Sequence, residues 1–417
     1  MRTVAFVAAC DSQFKWATYI APVFKNNGWE TSYVSFGHLF EMSAEQLSDL
    51  NLNIDMVNII HGNAQICSHL ANFDAVFLLL PGGHNEKLIY SIKKYMSCFP
   101  HYRCPVIITG YVGMAIKDKI AGFLYRVGAD LFCVNSRSDL ACFQEVCKEL
   151  DISAERLVLS GLPLLPPAKK GKEQTEIKTI VFADQVAIPS SHKERVILYN
   201  EIVNYALAHP EREVIIKPRH RANETSFHKG PLLPEFFFND FEHITNLKID
   251  YTPIQNLLAT ADLLVTVSST AALEAICLGV KVAILADFLV RESDGNTAFV
   301  GSNLIRTWDQ ISNDEIGEVD PLWIHNNFDC CNIPSETIYQ RVQDAVSQRK
   351  KTIGPAPKMS NFEQTRVKLV LNAARGKKKK KKNDPTLIKF IKLVSPPILV
   401  STIYKIYKLT KKRRKES

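Results

Sequence analysis

From Asp262 to Leu285 the chain reads DLLVTVSSTAALEAICLGVKVAIL. An apolar run, Leu263 to Val267, ends in three small hydroxylic residues, Ser268, Ser269 and Thr270. A helical stretch, Ala271 to Leu278, is stopped by Gly279, and Val280 to Leu285 is mostly apolar again. This is strand, turn, helix, strand. The turn falls at a helix N-terminus, where backbone N–H groups lack intrahelical partners and the dipole is positive, so an anion is favoured. Three hydroxyls add donors, and Glu274 lies one turn into the helix. The plainer reading makes Ser268 a helix cap and Glu274 a suitable first-turn acid. Position favours a ligand, because open α/β sheets bind ligands at the carboxyl ends of their strands. Phosphate is the natural guest, and a nucleotide-activated substrate the natural chemistry.

A second cluster supports that chemistry. Lys217, Arg219, His220 and Arg221 follow a strand, Glu213 to Lys217, so they fall at its carboxyl end. Three cations and a His suit a diphosphate or a phosphate-carboxylate group. Displacing a nucleotide from a sugar requires the departing phosphate to be neutralised. A metal can do this, or Arg, Lys and His with a helix N-terminus. No DxD stands in a metal-ligand setting, so the expectation is no metal and no cofactor, with the nucleotide sugar as substrate. Lys217, Arg219, Arg221, Ser268, Ser269, Thr270 and Glu274 are the expected donor-binding residues, and His220 a catalytic one. The acceptor hydroxyl also needs a general base. Asp11, in the segment after the first strand, is that candidate, although it equally suits a helix cap. Ser12, Lys15, Gly82, Gly83 and Asn135 complete the expected cleft or acceptor lining. Asp184-Gln185, Asp287-Phe288 and Asn296 are further strand-end positions.

The elements that must position these residues alternate. Strands are expected at Val4–Ala9, Thr31–Phe36, Ala75–Leu80, Val106–Thr109, Leu131–Val134 and Leu157–Ser160, with helices at Trp16–Asn26, Leu88–Met96 and Ser138–Leu150. The stretch around Pro163–Glu176 is rich in Pro and Lys and reads as a linker. The alternation restarts at Ile177–Ala183, followed by a helix over His192–Ala208, a strand at Glu213–Lys217 and a helix over Pro253–Ala261. Strands separated by helices imply parallel sheets covered on both faces. The expectation is α/β, with two Rossmann-like doubly wound domains facing a cleft, the architecture called GT-B. Its parts are an acceptor domain (1–165), a linker (166–176), a donor domain (177–350) and a basic tail (351–417).

The stretch KTIVFADQVAIPSSHKERVILYNEIVNYALAHPEREVIIKPRHR, then VTVSSTAALEAICLGVKVAILADF, resembles a group of bacterial GT-B glycosyltransferases over about residues 1–310, and Asp11 to Trp16 fits it too. More distantly the chain is similar to transferases of CMP-activated acidic sugars, the sialyl- and Kdo-transferases. Those carry a Lys-x-His-Pro motif and a Ser-Ser/Thr motif. Here Lys217-Pro218-Arg219-His220 keeps the Lys and His but changes their spacing. The resemblance implies sugar transfer from a nucleotide donor to a membrane-proximal glycan or glycolipid such as lipopolysaccharide or capsule. A nucleotide-sugar epimerase of the same fold, or a non-catalytic membrane-bound nucleotide-binding protein, is the alternative.

Charge divides the chain sharply. The net charge is +8 over 417 residues. Residues 376–417 hold 15 Lys/Arg and 2 Asp/Glu, a net of +13, so residues 1–375 carry −5. An acidic body argues against a nucleic-acid groove. The tail joins six lysines, Lys377 to Lys382, to LIKFIKLVSPPILVSTIYKIYKL. Its longest uncharged run, Leu393 to Tyr404, has 12 residues, short of the roughly 20 that a span needs. Residues 377–415 are therefore expected to lie on an anionic membrane surface. The N-terminus lacks an apolar stretch of signal length, and none of the ten cysteines forms CxxC. Together these make a cytoplasmic protein, peripheral on the inner face of the cell membrane, the expected location.

Overall fold

The computed structural model describes residues 1–99, 104–114, 119–163, 165–166, 176–221, 232–328 and 335–351. The first sheet takes strands β1 (Arg2–Val7), β2 (Trp29–Phe36), β3 (Val57–Ile60), β4 (Ala75–Leu78), β5 (Val106–Gly110), β6 (Leu131–Val134) and β7 (Leu157–Leu159). They lie in the order β3-β2-β1-β4-β5-β6-β7, and every pairing is parallel. Helices α1 (Asp11–Asn26), α2 (Ala44–Ser48), α3 (Asn63–Leu70), α4 (Gly82–Cys98), α5 (Lys119–Leu124) and α6 (Arg137–Leu150) accompany it. Alternate residues of each strand feed opposite faces. Val4, Phe6, Phe77 and Ile108 pack with α1, while Ala5, Val7, Val76, Leu78 and Ile107 pack with α3 and α4. Burial on both faces explains why these strands are almost wholly apolar.

The second sheet takes β8 (Thr179–Ala183), β9 (Glu213–Lys217), β10 (Leu247–Ile249), β11 (Leu263–Thr266), β12 (Lys281–Leu285) and β13 (Ile305–Arg306). The order is β10-β9-β8-β11-β12-β13, again all parallel. Helices α7 (His192–Ala208), α8 (Pro234–Phe238), α9 (Ile254–Thr260), α10 (Ala271–Leu278), α11 (Trp308–Ser312) and α12 (Pro321–Asn327) go with it. Each sheet reverses its strand order once, between β1 and β4 and between β8 and β11. Neighbouring connections leave these points toward opposite faces and open a crevice there. The two α/β units form the expected GT-B architecture.

Several details differ from the sequence reading. Helix α1 starts at Asp11, not Trp16, because Gln13 turns its Oε1 back to accept from the Ala9 N–H at 2.8 Å and steadies the first turn. Asp11, Ser12 and Lys15 therefore sit on a helix and not on a loop. Gly82 and Gly83 open α4, ahead of the helix start expected at Leu88, with Pro81 as the N-cap. The last helix, α13 (Ser335–Lys351), lies, but for Lys351, within the range expected for the donor domain but packs on the first sheet. Its apolar side, Ile338, Tyr339, Val342 and Val346, joins the core around Phe24 and Trp29. Arg2 reaches Ser347 at 3.1 Å, and Arg349 pairs with Asp130. Among the described residues no helix is long and apolar enough to cross a membrane. The tail and most of the linker lie outside the described residues.

Candidate functional site

The turn Val267–Thr270 leaves β11, and the loop Asp184–Pro189 leaves β8, so both stand at the crevice of the second sheet. They are tied together. Gln185 Oε1 accepts from the Ser268 backbone N–H at 2.8 Å, and its Nε2 donates to Ser268 Oγ at 3.2 Å. Ser268 Oγ also donates to the Asp294 carbonyl at 2.5 Å. The buried Ser268 is therefore fully engaged in shaping the turn. Ser269 Oγ accepts from the Ala271 N–H at 3.2 Å, and Thr270 is the N-cap of α10. The helix begins at Ala271, where the sequence reading placed it, but its cap is Thr270 and not Ser268. The loop across the switch point is itself held by Arg195, whose Nη2 donates to both Asp184 carboxylate oxygens at 2.9 and 3.0 Å. Burial pushes the Asp184 carboxyl above its usual range, and Arg195 opposes that. Asp184 is a structural anchor here. Asn296 is likewise buried, with its amide bonded to the Leu285 and Leu289 carbonyls.

The cation cluster stands beside this turn because β9 neighbours β8. Lys217 and Arg219 line one cavity of about 490 Å³ together with Ser268, Ser269, Thr270 and Glu274 from their own half. Asp11, Ser12, Lys15 and Gly113 enter the same cavity from the first half. His220 and Arg221 line an adjoining cavity of about 1080 Å³, with Asp11, Lys15, Lys217 and Arg219 common to both. Tyr19, Tyr33, Glu45, Asp49 and Asn51 form its wall in the first half; Tyr251 and Gln255 face them. Arg221 stacks on Tyr251 at 4.1 Å. His220 Nδ1 meets the Arg221 carbonyl at 2.8 Å, while its Nε2 is enclosed and finds no hydrogen-bond partner among the described residues.

The two halves meet through charge. Lys15 Nζ lies 3.3 Å from both carboxylate oxygens of Glu274, which also accepts from Gln255 at 2.9 Å. Arg219 lies 3.4 Å from Asp11. Cys10, the N-cap of α1, has its thiol pushed above the usual range, chiefly by burial. The exposed Glu45 carboxyl is held below its ordinary range, first by a hydrogen bond from its own backbone and then by Ser43.

Most expected residues converge, but Gly82, Gly83 and Asn135 do not, nor do the strand-end residues Asp287, Phe288 and Asn296. Gly82 and Gly83 line neither cavity; a Cβ on Gly82 would come within 2.8 Å of the Tyr125 ring, so the glycine serves packing. Asn135 also lines neither cavity. Its amide donates to the Gly113 carbonyl at 2.6 Å and so fixes the loop that faces Thr270. Tyr19, Glu45, Asp49, Tyr251 and Gln255 were missed. Only Tyr19 carried a signal, since it follows Asp11 and Lys15 at helical spacing. Among the described residues no group of three or more His, Cys, Asp or Glu side chains gathers as a metal-ligand set.

A family described as "Putative glycosyltransferase (DUF6716)" matches residues 4–345. No curated protein matches the chain. Among solved structures, UDP-GlcNAc 2-epimerase from Methanocaldococcus jannaschii is similar at 12% identity and a TM-score of 0.52, covering 83% of this chain and 100% of its own. A UDP-GlcNAc 2-epimerase from Neisseria meningitidis, solved with UDP-GlcNAc, is 13% identical at a TM-score of 0.49, with coverages of 84% and 100%. The pneumococcal O-GlcNAc transferase, solved with UDP and GlcNAc, is 8% identical at 0.49, with coverages of 84% and 98%. At 12% identity the likeness to the Methanocaldococcus jannaschii protein is one of fold alone.

Proposed function

The chain belongs to the DUF6716 glycosyltransferase family, and from that membership we propose that it transfers a sugar from a nucleotide donor whose phosphate sits between the Ser269–Thr270 turn and the Lys217–Arg219 loop. One observation carries this reading. Two cations and a helix N-terminus of one half share a single cavity with a carboxylate, Asp11, of the other. The acceptor oxygen attacks the anomeric carbon as the bond from that carbon to the phosphate oxygen breaks. Its proton passes to the Asp11 carboxylate. The departing negative charge is met by Lys217, Arg219 and the α10 N-terminus, with His220 beside them. Such groups stabilise the transition state most where they are already in place.

A CMP-linked acidic sugar is the donor that the sequence resemblance implies, and a membrane-proximal glycan or glycolipid the proposed acceptor. The +13 tail would hold the enzyme at an anionic surface, where each Lys or Arg adds about 1 kcal/mol of attraction. A thermal-shift series of the full chain with CMP, CDP, UDP, GDP and ADP tests the donor site. A nucleotide that binds the native state raises the melting temperature by mass action, with about 2.7 kcal/mol of stabilisation at a hundred times Kd. Lys217→Ala and His220→Ala should each diminish that rise. No shift with any of the five nucleotides, or a shift untouched in both variants, removes the assignment.

A further inference from the structure

Asp11, Lys15 and Tyr19 recur every four residues along α1 and therefore share one face. Each meets the second half. Asp11 faces Arg219 at 3.4 Å, Lys15 faces Glu274 at 3.3 Å, and Tyr19 Oη faces Gln255 Nε2 at 3.5 Å. The contacts are unequal. Glu274 is only 5% exposed and accepts from both Lys15 and Gln255. Asp11 and Arg219 are 47% and 40% exposed and share one long contact. A solvated, single-contact ion pair is among the weakest in a protein. An Arg–phosphate contact is charge-assisted and commonly bidentate. Arg219 lies in the same cavity as the Ser269–Thr270 turn, so a phosphate placed there competes directly with Asp11.

We propose that Asp11 is an internal competitor of the donor phosphate: its carboxylate holds Arg219 until the donor takes that guanidinium over, and only then is Asp11 released toward the acceptor. This rests on the donor site proposed above. It assigns Arg219 a second task, positioning the base, and it orders the reaction so that donor binds before acceptor. The Lys15–Glu274 contact is the more buried and more fully bonded of the two, and it stays in place while the exchange occurs.

The sign of one effect tests this. Isothermal titration of the full chain with CMP, CDP, UDP, GDP and ADP is run on wild type, Asp11→Asn, Asp11→Ala, Arg219→Ala and the double variant Asp11→Ala/Arg219→Ala. Removing the carboxylate frees Arg219, so both Asp11 variants should bind nucleotide more tightly, by about two- to five-fold, the scale of an exposed pair. Arg219→Ala should bind more weakly, and adding Asp11→Ala to it should restore nothing. Unchanged or weaker binding in the Asp11 variants overturns the proposal. So does an equal gain in the Arg219→Ala background, which would mark a general charge effect. A wild-type protein that binds none of the five nucleotides removes the donor site and this proposal together, whereas binding without the gain removes this proposal alone.

Discussion

Arg195→Met should destabilise the second half severely, and the structure fixes the scale. The Arg195 side chain is 0% exposed. It donates to both oxygens of Asp184, to the Gln185 carbonyl at 2.6 Å, to the Ile188 carbonyl at 3.1 Å and to the Leu232 carbonyl at 2.8 Å. Methionine fills much of the volume but takes the guanidinium from three carbonyls and from a buried carboxylate, which keeps the Tyr199 hydroxyl at 3.0 Å but loses its countercharge. Breaking one side of a buried pair costs about 3–5 kcal/mol. For a unit of this size that is a fall in Tm of about 6–20 °C. The pH dependence has a definite sign. Burial already pushes the Asp184 carboxyl up, and losing Arg195 pushes it further. A folded-state pKa raised above the unfolded one favours folding at low pH and is unfavourable as pH rises through it. The deficit should therefore be larger at pH 8 than at pH 5. Replacing both partners, Arg195→Leu with Asp184→Leu, removes the orphaned charge and should regain much of the loss. Urea denaturation and thermal melting of the wild type and these two variants decide it. An Arg195→Met protein within about 1 kcal/mol of wild type, with no pH dependence to its deficit, would refute the claim that this pair holds the loop.

Three further outcomes are expected. Asp11→Asn should lower sugar transfer by about a hundred-fold or more, the usual contribution of a general base, while nucleotide binding persists; near-wild-type turnover would move the base elsewhere. Gly110→Ala should cost about 1–3 kcal/mol, because its Cβ would meet the Cys133 side chain and carbonyl at 2.9 Å, whereas Gly113→Ala meets only Thr270 Cγ2 at 3.6 Å and should leave the melting temperature nearly unchanged. Deleting residues 376–417 should release the protein from anionic liposomes without lowering the melting temperature of the body, and co-sedimentation of the truncated chain would place the membrane contact in residues 1–375.

The sequence by itself determined most of the strands, though not β3 or β13, together with their parallel arrangement and the polar clusters at their carboxyl ends. These depend on local pattern: an apolar run such as Leu263–Val267 must be buried on both faces, and the residues after it must then emerge at the strand end. The Ser268–Thr270 turn and the Lys217–Arg221 cluster were legible for that reason. Tertiary structure alone decided what these groups touch. Asp11 and Arg219 are 208 residues apart in the chain, and nothing local announces that they pair. Gln185 and Ser268 are 83 apart, and only the strand order β8-β11 makes them neighbours. The same holds for Asn135, whose strand-end position suggested a ligand contact but whose amide instead braces Gly113. Helix α13 shows the limit most plainly. Its stripe of Ile338, Tyr339, Val342 and Val346 announces a buried face, but a stripe fits any apolar surface of matching shape. It is the corner at Phe24 and Trp29, formed more than 300 residues earlier, that draws the helix back onto the first half.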